Sequence, residues 1–159
     1  MPNVLAGSAS MVTEVLNAAI FSTSFTAERS YADWTLPLEE NQGDNLLVDV
    51  VPVGKIEGEI ETRGSIKYSP DVDIAVRLGL GPERRQANGR FNVAEIDELV
   101  SLVHEIAEFF AIDRFGNQNQ FAWDSERNVK IDIVYAHLRT NHQFTGIVRL
   151  PFICSVLIA

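Results

Sequence analysis

Residues 129–159 read VKIDIVYAHLRTNHQFTGIVRLPFICSVLIA. Two stretches of alternating apolar and polar residues are joined by the polar turn Arg139-Thr140-Asn141-His142-Gln143. Period-two alternation marks a strand with one face toward a core. The segment therefore reads as a closing hairpin whose last residues are held in a sheet. Phe144, Val148, Leu150, Phe152, Cys154, Val156 and Ile158 share one parity of the final strand, the one expected to face the core. Thr145, Ile147 and Arg149 take the other parity and are expected to point outward. Ile147, Ile153 and Leu157 are too apolar for a solvated face, so either the long second helix or a neighbouring subunit should cover them.

Working outward, two helices stand out. Val12, Val15, Leu16, Ala19 and Ile20 recur at helical spacing, with Ser10 as a candidate N-cap. In the second, Asn92 is the expected cap and Glu95 its capping-box partner. Ile96, Leu99, Val100, Val103, Ile106, Ala107 and Phe110 then form one apolar face. Glu95, Asp97, Glu98, Glu105 and Glu108 make the opposite face acidic, and the helix is expected to end near Ile112. Residues 46–53 (LLVDVVPV) read as a strand closed by Pro52 and Gly54. Val72, Ile74, Val76, Leu78 and Leu80 alternate with Asp71, Asp73, Ala75, Arg77 and Gly79, which predicts a half-buried strand. Val129, Ile131, Ile133 and Tyr135 predict another. Strands joined by short turns favour antiparallel pairing. The expected fold is α+β: a mainly antiparallel sheet with an N-terminal helix and one long central helix packed on one side. With 159 residues and no internal change of composition, residues 1–159 read as a single domain. Residues 39–45 and 81–89 read as loops.

Composition narrows the function. The formal net charge is −9 and the pI about 4.7. Gripping a phosphate backbone requires clustered Lys and Arg, and the only dense basic group is Arg84, Arg85 and Arg90 in a Gly/Pro/Asn loop. That loop is expected to be solvated. The single cysteine, Cys154, sits in an apolar strand and reads as a small core hydrophobe. No basic leader and no apolar run of roughly 18 residues is present, so a soluble protein is expected.

One constellation resembles a catalytic motif. Arg63-Gly64-Ser65 followed by Asp71-Val72-Asp73 is similar to the Gly-Ser and Asp-x-Asp pair of nucleotidyltransferases, in which carboxylates at period two hold a divalent metal. The five intervening residues are too few for a helical turn and return, and Ile66-Lys67-Tyr68 reads as strand. The preferred reading is that Asp71 and Asp73 are the solvent side of an amphipathic strand. His104, His137 and His142 lack metal-ligand spacing. His104 lies beside an apolar helix face and is expected to pack there, while His142 is expected to be solvated. We expect no catalytic residue, metal ligand or cofactor.

The order of features resembles the tail terminator or tail-completion (neck) proteins of long-tailed bacteriophages. The resemblance runs from an N-terminal helix to Val50-Val51-Pro52-Val53-Gly54, then a strand near Arg63 and Tyr68-x-x-Asp71-Val72-Asp73-Ile74-Ala75-Val76. A long acidic helix follows, then Phe121-Ala122-Trp123 and the closing segment HLRTNHQFTGIVRLPF at residues 137–152. It implies a non-enzymatic virion protein made in the host cytoplasm. Its subunits would form a homohexameric ring at the head-proximal end of the tail, stop tube polymerisation and dock on the head connector. The implied partners are further copies of itself, the tail-tube protein and the connector, with genome DNA crossing the lumen unbound and no membrane contact. A closed ring needs two different sticky surfaces on each subunit. Tyr31, Trp34, Arg84, Arg85, Arg90, Trp123, Ile147 and Arg149 are the candidate interface residues.

Overall fold

The computed structural model describes residues 3–31, 33–38, 45–53, 58–62, 64–113, 121–124 and 126–157. Gly54, Arg63, Ile158, the polar run 116–120 and most of the loop at 39–45 lie outside them. The described chain runs α1 (Val4–Ala18), β1 (Ala27–Arg29), β2 (Leu47–Pro52), β3 (Gly58–Thr62), β4 (Ser65–Tyr68), β5 (Asp71–Gly79), α2 (Val93–Asp113), β6 (Phe121–Trp123), β7 (Lys130–Ile133), α3 (Tyr135–Asn141) and β8 (Gln143–Leu157). This is the expected α+β fold. All the strand pairings are antiparallel except β1 on β2.

The final strand is the spine of the sheet. Along one flank it pairs with β4 from Ser65↔Leu157 to Tyr68↔Cys154, and with β5 from Asp71↔Pro151 to Gly79↔Gln143. The register is the same in both, so β4 and β5 form one long line interrupted only at Ser69-Pro70. Proline cannot donate to a ladder, but its carbonyl still accepts from the Phe152 amide at 2.9 Å. β2 and β3 lie outside that line, on β5 and β4. The other flank of β8 carries β6, opposite residues 152–154, and β7, opposite residues 146–149.

Parity on β8 assigns the two faces. Phe144, Val148, Leu150, Phe152 and Cys154 are buried against α1 and α2 together with Val72, Ile74, Val76 and Leu78 of β5. α1 lies against β1 and β2, and α2 against β8 and β7. The residues that follow α1 are clipped to α2, because Ser22 donates its amide and hydroxyl to Glu105 at 2.9 and 2.6 Å. Phe21 stacks on Phe25 and meets Phe109 edge-on, closing that end of the core.

The structure corrects several local readings. α1 starts at Val4, not after Ser10, because Asn3 caps it by accepting from the Ala6 amide at 3.0 Å. Residues 6–10 are small, so they extend the helix without extending its apolar stripe. Ile20 falls beyond the helix and is 96% exposed. Asn92 does cap α2, accepting from the Ala94 amide, but Glu95 turns to Arg84 at 2.6 Å instead of completing a capping box. His104 is exposed on α2 rather than packed.

The two alternating runs of the last segment are not joined by a turn. Period two stops at Ile133, and residues 135–141 form α3, which ends at His142 in the left-handed region (φ 48°). After Ile133↔Gly146, the Val134 amide still reaches the Thr145 carbonyl. α3 therefore takes the place beside β8 that a longer β7 would fill. Leu138 enters the helix-side core, while His137 reaches the opposite face of the sheet.

Cys154 is 1% exposed, and burial pushes its thiol above the ordinary range. A thiol that is both shielded and reluctant to ionise reacts slowly. It is expected to ignore a chromogenic disulfide reagent in native buffer and to react fully in denaturant. Rapid native labelling would show that the second half of β8 opens.

Candidate functional site

The second sheet face holds three of the eight candidate interface residues, Trp34, Ile147 and Arg149, and it is largely buried. Asp73, Ala75, Arg77, Gln143, Thr145 and Ile147 are all buried there. The expected half-buried strand is therefore covered on both sides. α2 cannot be the cover, since a Cβ built on Gly146, at the opposite parity, would lie 2.5 Å from Val103. Residues 33–38 cross this face instead. Trp34 Nε1 donates to Asp73 Oδ2 at 3.1 Å, and the Leu38 amide donates to Gln143 Oε1 at 2.7 Å. Ile147, 3% exposed, is thus buried within the chain itself on the face that α2 does not cover.

The charges on this face are arranged as pairs. Arg149 grips Asp73 with two parallel bonds, Nε to Oδ1 at 2.7 Å and Nη2 to Oδ2 at 2.8 Å. This is the bidentate fork that suits a guanidinium to a carboxylate. Those hydrogen bonds push the Arg149 guanidinium above its usual range despite partial burial. Arg77 donates to Asp49 at 2.6 Å. Asp71 and Asp73 are therefore not a solvent-facing pair. Asp71 is bound by Arg127, which also donates to Asp124 Oδ2 at 2.6 Å and to the Phe152 carbonyl at 3.1 Å. Burial pushes the Asp124 carboxyl up, but the Arg127 hydrogen bond, the Glu126 amide and the charges of Arg127 and Lys67 outweigh it and hold it below the usual range.

Beside these pairs opens a cleft of about 240 Å³ between Asp71, Arg127, Lys130 and Arg149. Its carboxylate and guanidinium groups are largely committed to one another, so it presents a neutralised, hydrogen-bonded surface rather than a poised acid, base or nucleophile. Ser65 begins β4 rather than a helix, so the geometry that a Gly-Ser triphosphate turn requires is not formed. Among the described residues, no group of three or more His, Cys, Asp or Glu side chains is placed to hold a metal ion.

The remaining candidates are scattered. Tyr31 is 70% exposed, with the Arg29 guanidinium 5.7 Å above its ring and donating to its hydroxyl. Trp123 is half-buried, meeting Phe152 edge-on at 5.9 Å. Arg84 and Arg85 are half-buried beside the first turn of α2, where Arg84 holds Glu95, so only Arg90 matches the expected solvated loop. Gly89 (φ 81°) supplies the reversal that sets Arg90 opposite Gln86. These residues do not converge on one patch with Trp34, Ile147 and Arg149.

Sequence reasoning missed the polar cluster of His137, Thr145 and Gln143. Its partner Thr35 is 102 positions from His137, and no periodicity connects them. No protein-family model matches the chain, and no curated protein sequence matches it at a significant level. No helix among the described residues is long and apolar enough to cross a membrane.

Proposed function

We propose that this protein is a virion structural subunit, a ring-forming tail terminator or neck component that caps the head-proximal end of a phage tail and docks on the connector. The observation that carries this reading is the set of open sheet edges. β1 and β3 end the strand order on one flank of β8, β6 and β7 lie on the other, and none of the four has a further strand partner among the described residues. Two of these edges, on opposite flanks, bear an exposed isoleucine, Ile60 (77%) on β3 and Ile131 (38%) on β7. Unpaired edges are sites for pairing with another chain. Two unlike edges are what a heterologous, closing contact uses. The acidic net charge of −9 suits a lumen that keeps passing DNA mobile. The preference for internal ion pairs over a poised site favours assembly over catalysis.

Native mass spectrometry of the protein, alone and with tail tubes, tests the proposal. Closed oligomers, hexamers foremost, are expected. Ile60→Asp and Ile131→Asp should each return monomers with unchanged circular dichroism. A strict monomer without affinity for tube ends would exclude the ring.

A further inference from the structure

Residues 33–38 are held on the sheet by a chain of hydrogen bonds whose direction is set at both ends. The Leu38 amide can only donate, so Gln143 presents its Oε1 there and its Nε2 to Thr145 Oγ1, at 2.8 Å. The Thr35 carbonyl can only accept, so His137 carries its proton on Nε2, 3.0 Å away. His137 Nδ1 is then an acceptor, and the Thr145 hydroxyl donates to it at 2.7 Å. The circuit runs Leu38 to Gln143 to Thr145 to His137 to Thr35, and it closes only on a neutral imidazole. The outer side of the segment adds little hold, since Leu36 is 59% exposed.

We propose that residues 33–38 are a strap latched by neutral His137, and that protonation of this ring releases the strap from the sheet. This does not depend on the ring assembly proposed above. A proton on Nδ1 turns that atom into a donor aimed at Thr145 Oγ1. The fully buried hydroxyl already accepts from Gln143, and its own proton is left without an acceptor. A buried unsatisfied donor is costly.

The surrounding charges do not offset this. Arg77 lies directly across the ladder from Thr145 and disfavours a second cation. Its partner Asp49 is occupied by it, and Asp73 is occupied by Arg149 and Trp34. On the strap, Asp33 is engaged by the Thr35 amide and hydroxyl. Tyr135 and Arg139 on α3 offer no acceptor carboxylate, and Asp132 on β7 is exposed beside Ile147. The strap is therefore closed when the ring is neutral and opens when it is protonated. Opening uncovers the Thr145 hydroxyl and the apolar side chains of Ala75 and Ile147 on an otherwise polar and charged face.

Trp34, fixed to Asp73, is a built-in reporter. In a Trp123→Phe background, lowering the pH from 8 to 5 is expected to red-shift its emission and raise acrylamide quenching severalfold, reversibly, with unchanged circular dichroism. His137→Gln can still accept from Thr145 and donate to Thr35 but does not titrate, and it should abolish the change. The same transition in that variant overturns the proposal, as does a wild-type chain without any transition. If the variant fails to fold, NMR on the wild type decides. The Trp34 indole N–H and the His137 ring must titrate with one midpoint, and separate midpoints refute the latch.

Discussion

Replacing Asp49 by alanine is expected to destabilise the protein by about 3–5 kcal/mol. Asp49 pairs at 2.6 Å with Arg77, whose side chain is only 7% exposed and whose Nε has no hydrogen-bond partner. A guanidinium does not shed its proton in a protein, so without Asp49 a full charge stays on the covered sheet face. The converse change is milder. Asp49 is 14% exposed, nearer to solvent than Arg77, and a carboxylate left alone takes up water or a proton. The double replacement Asp49→Val with Arg77→Met removes both charges at similar volume and should recover most of the loss. Urea denaturation of the four proteins checks this. For a chain of this size the single variant should lose on the order of 10 °C in Tm. A double variant as unstable as Asp49→Ala would mean that the loss comes from packing rather than from an orphaned charge.

That experiment probes the face on which sequence reading failed. Alternation along residues 71–80 correctly assigned Val72, Ile74, Val76 and Leu78 to the core. It then implied solvent for the other parity, because Asp71, Asp73 and Arg77 are charged. Charge at period two is normally the wet side of a sheet. Here Asp73 and Arg77 are buried because each has a partner, and those partners, Arg149 and Asp49, are placed by register rather than by proximity in the chain. Arg149 lies 76 residues from Asp73. Residues 33–38, which complete the cover, have no apolar period at all, being held by one indole N–H, one amide and one carbonyl. Such bonds leave no pattern in a sequence. The same holds for α3. Tyr135 continues an alternation by residue type, but the chain turns there into α3 and leaves it at His142 in the left-handed region, and neither follows from hydrophobic spacing. What was legible was the part driven by apolar burial: both long helices, the buried parity of β8 and the antiparallel class. What was hidden was held by directional polar contacts, and the candidate switch lies in that part.

A close approach of α2 to the sheet yields the other large expectation. Gly146 sits on β8 opposite Val76 and Ile133, under α2. A methyl added there would lie 2.5 Å from Val103 Cγ2 and 3.2 Å from the Phe144 ring. Val103 is wholly buried and β-branched, with one dominant rotamer in a helix, so it cannot swing aside. Gly146→Ala is therefore expected to cost about 1–3 kcal/mol through overpacking, and Gly146→Val more. The intrinsic preference of strands for a side chain opposes this only weakly. Val103→Ala alone should also destabilise, by roughly 1–3 kcal/mol, through the cavity it leaves. Together the two changes relieve one another, because the new methyl fills the space of the lost ones. The double variant should be more stable than the sum of the two losses by about 1–2 kcal/mol, well outside additivity. Strict additivity would refute the clash and place the spacing between α2 and the sheet under the control of other residues, Leu99 and Ile106 first.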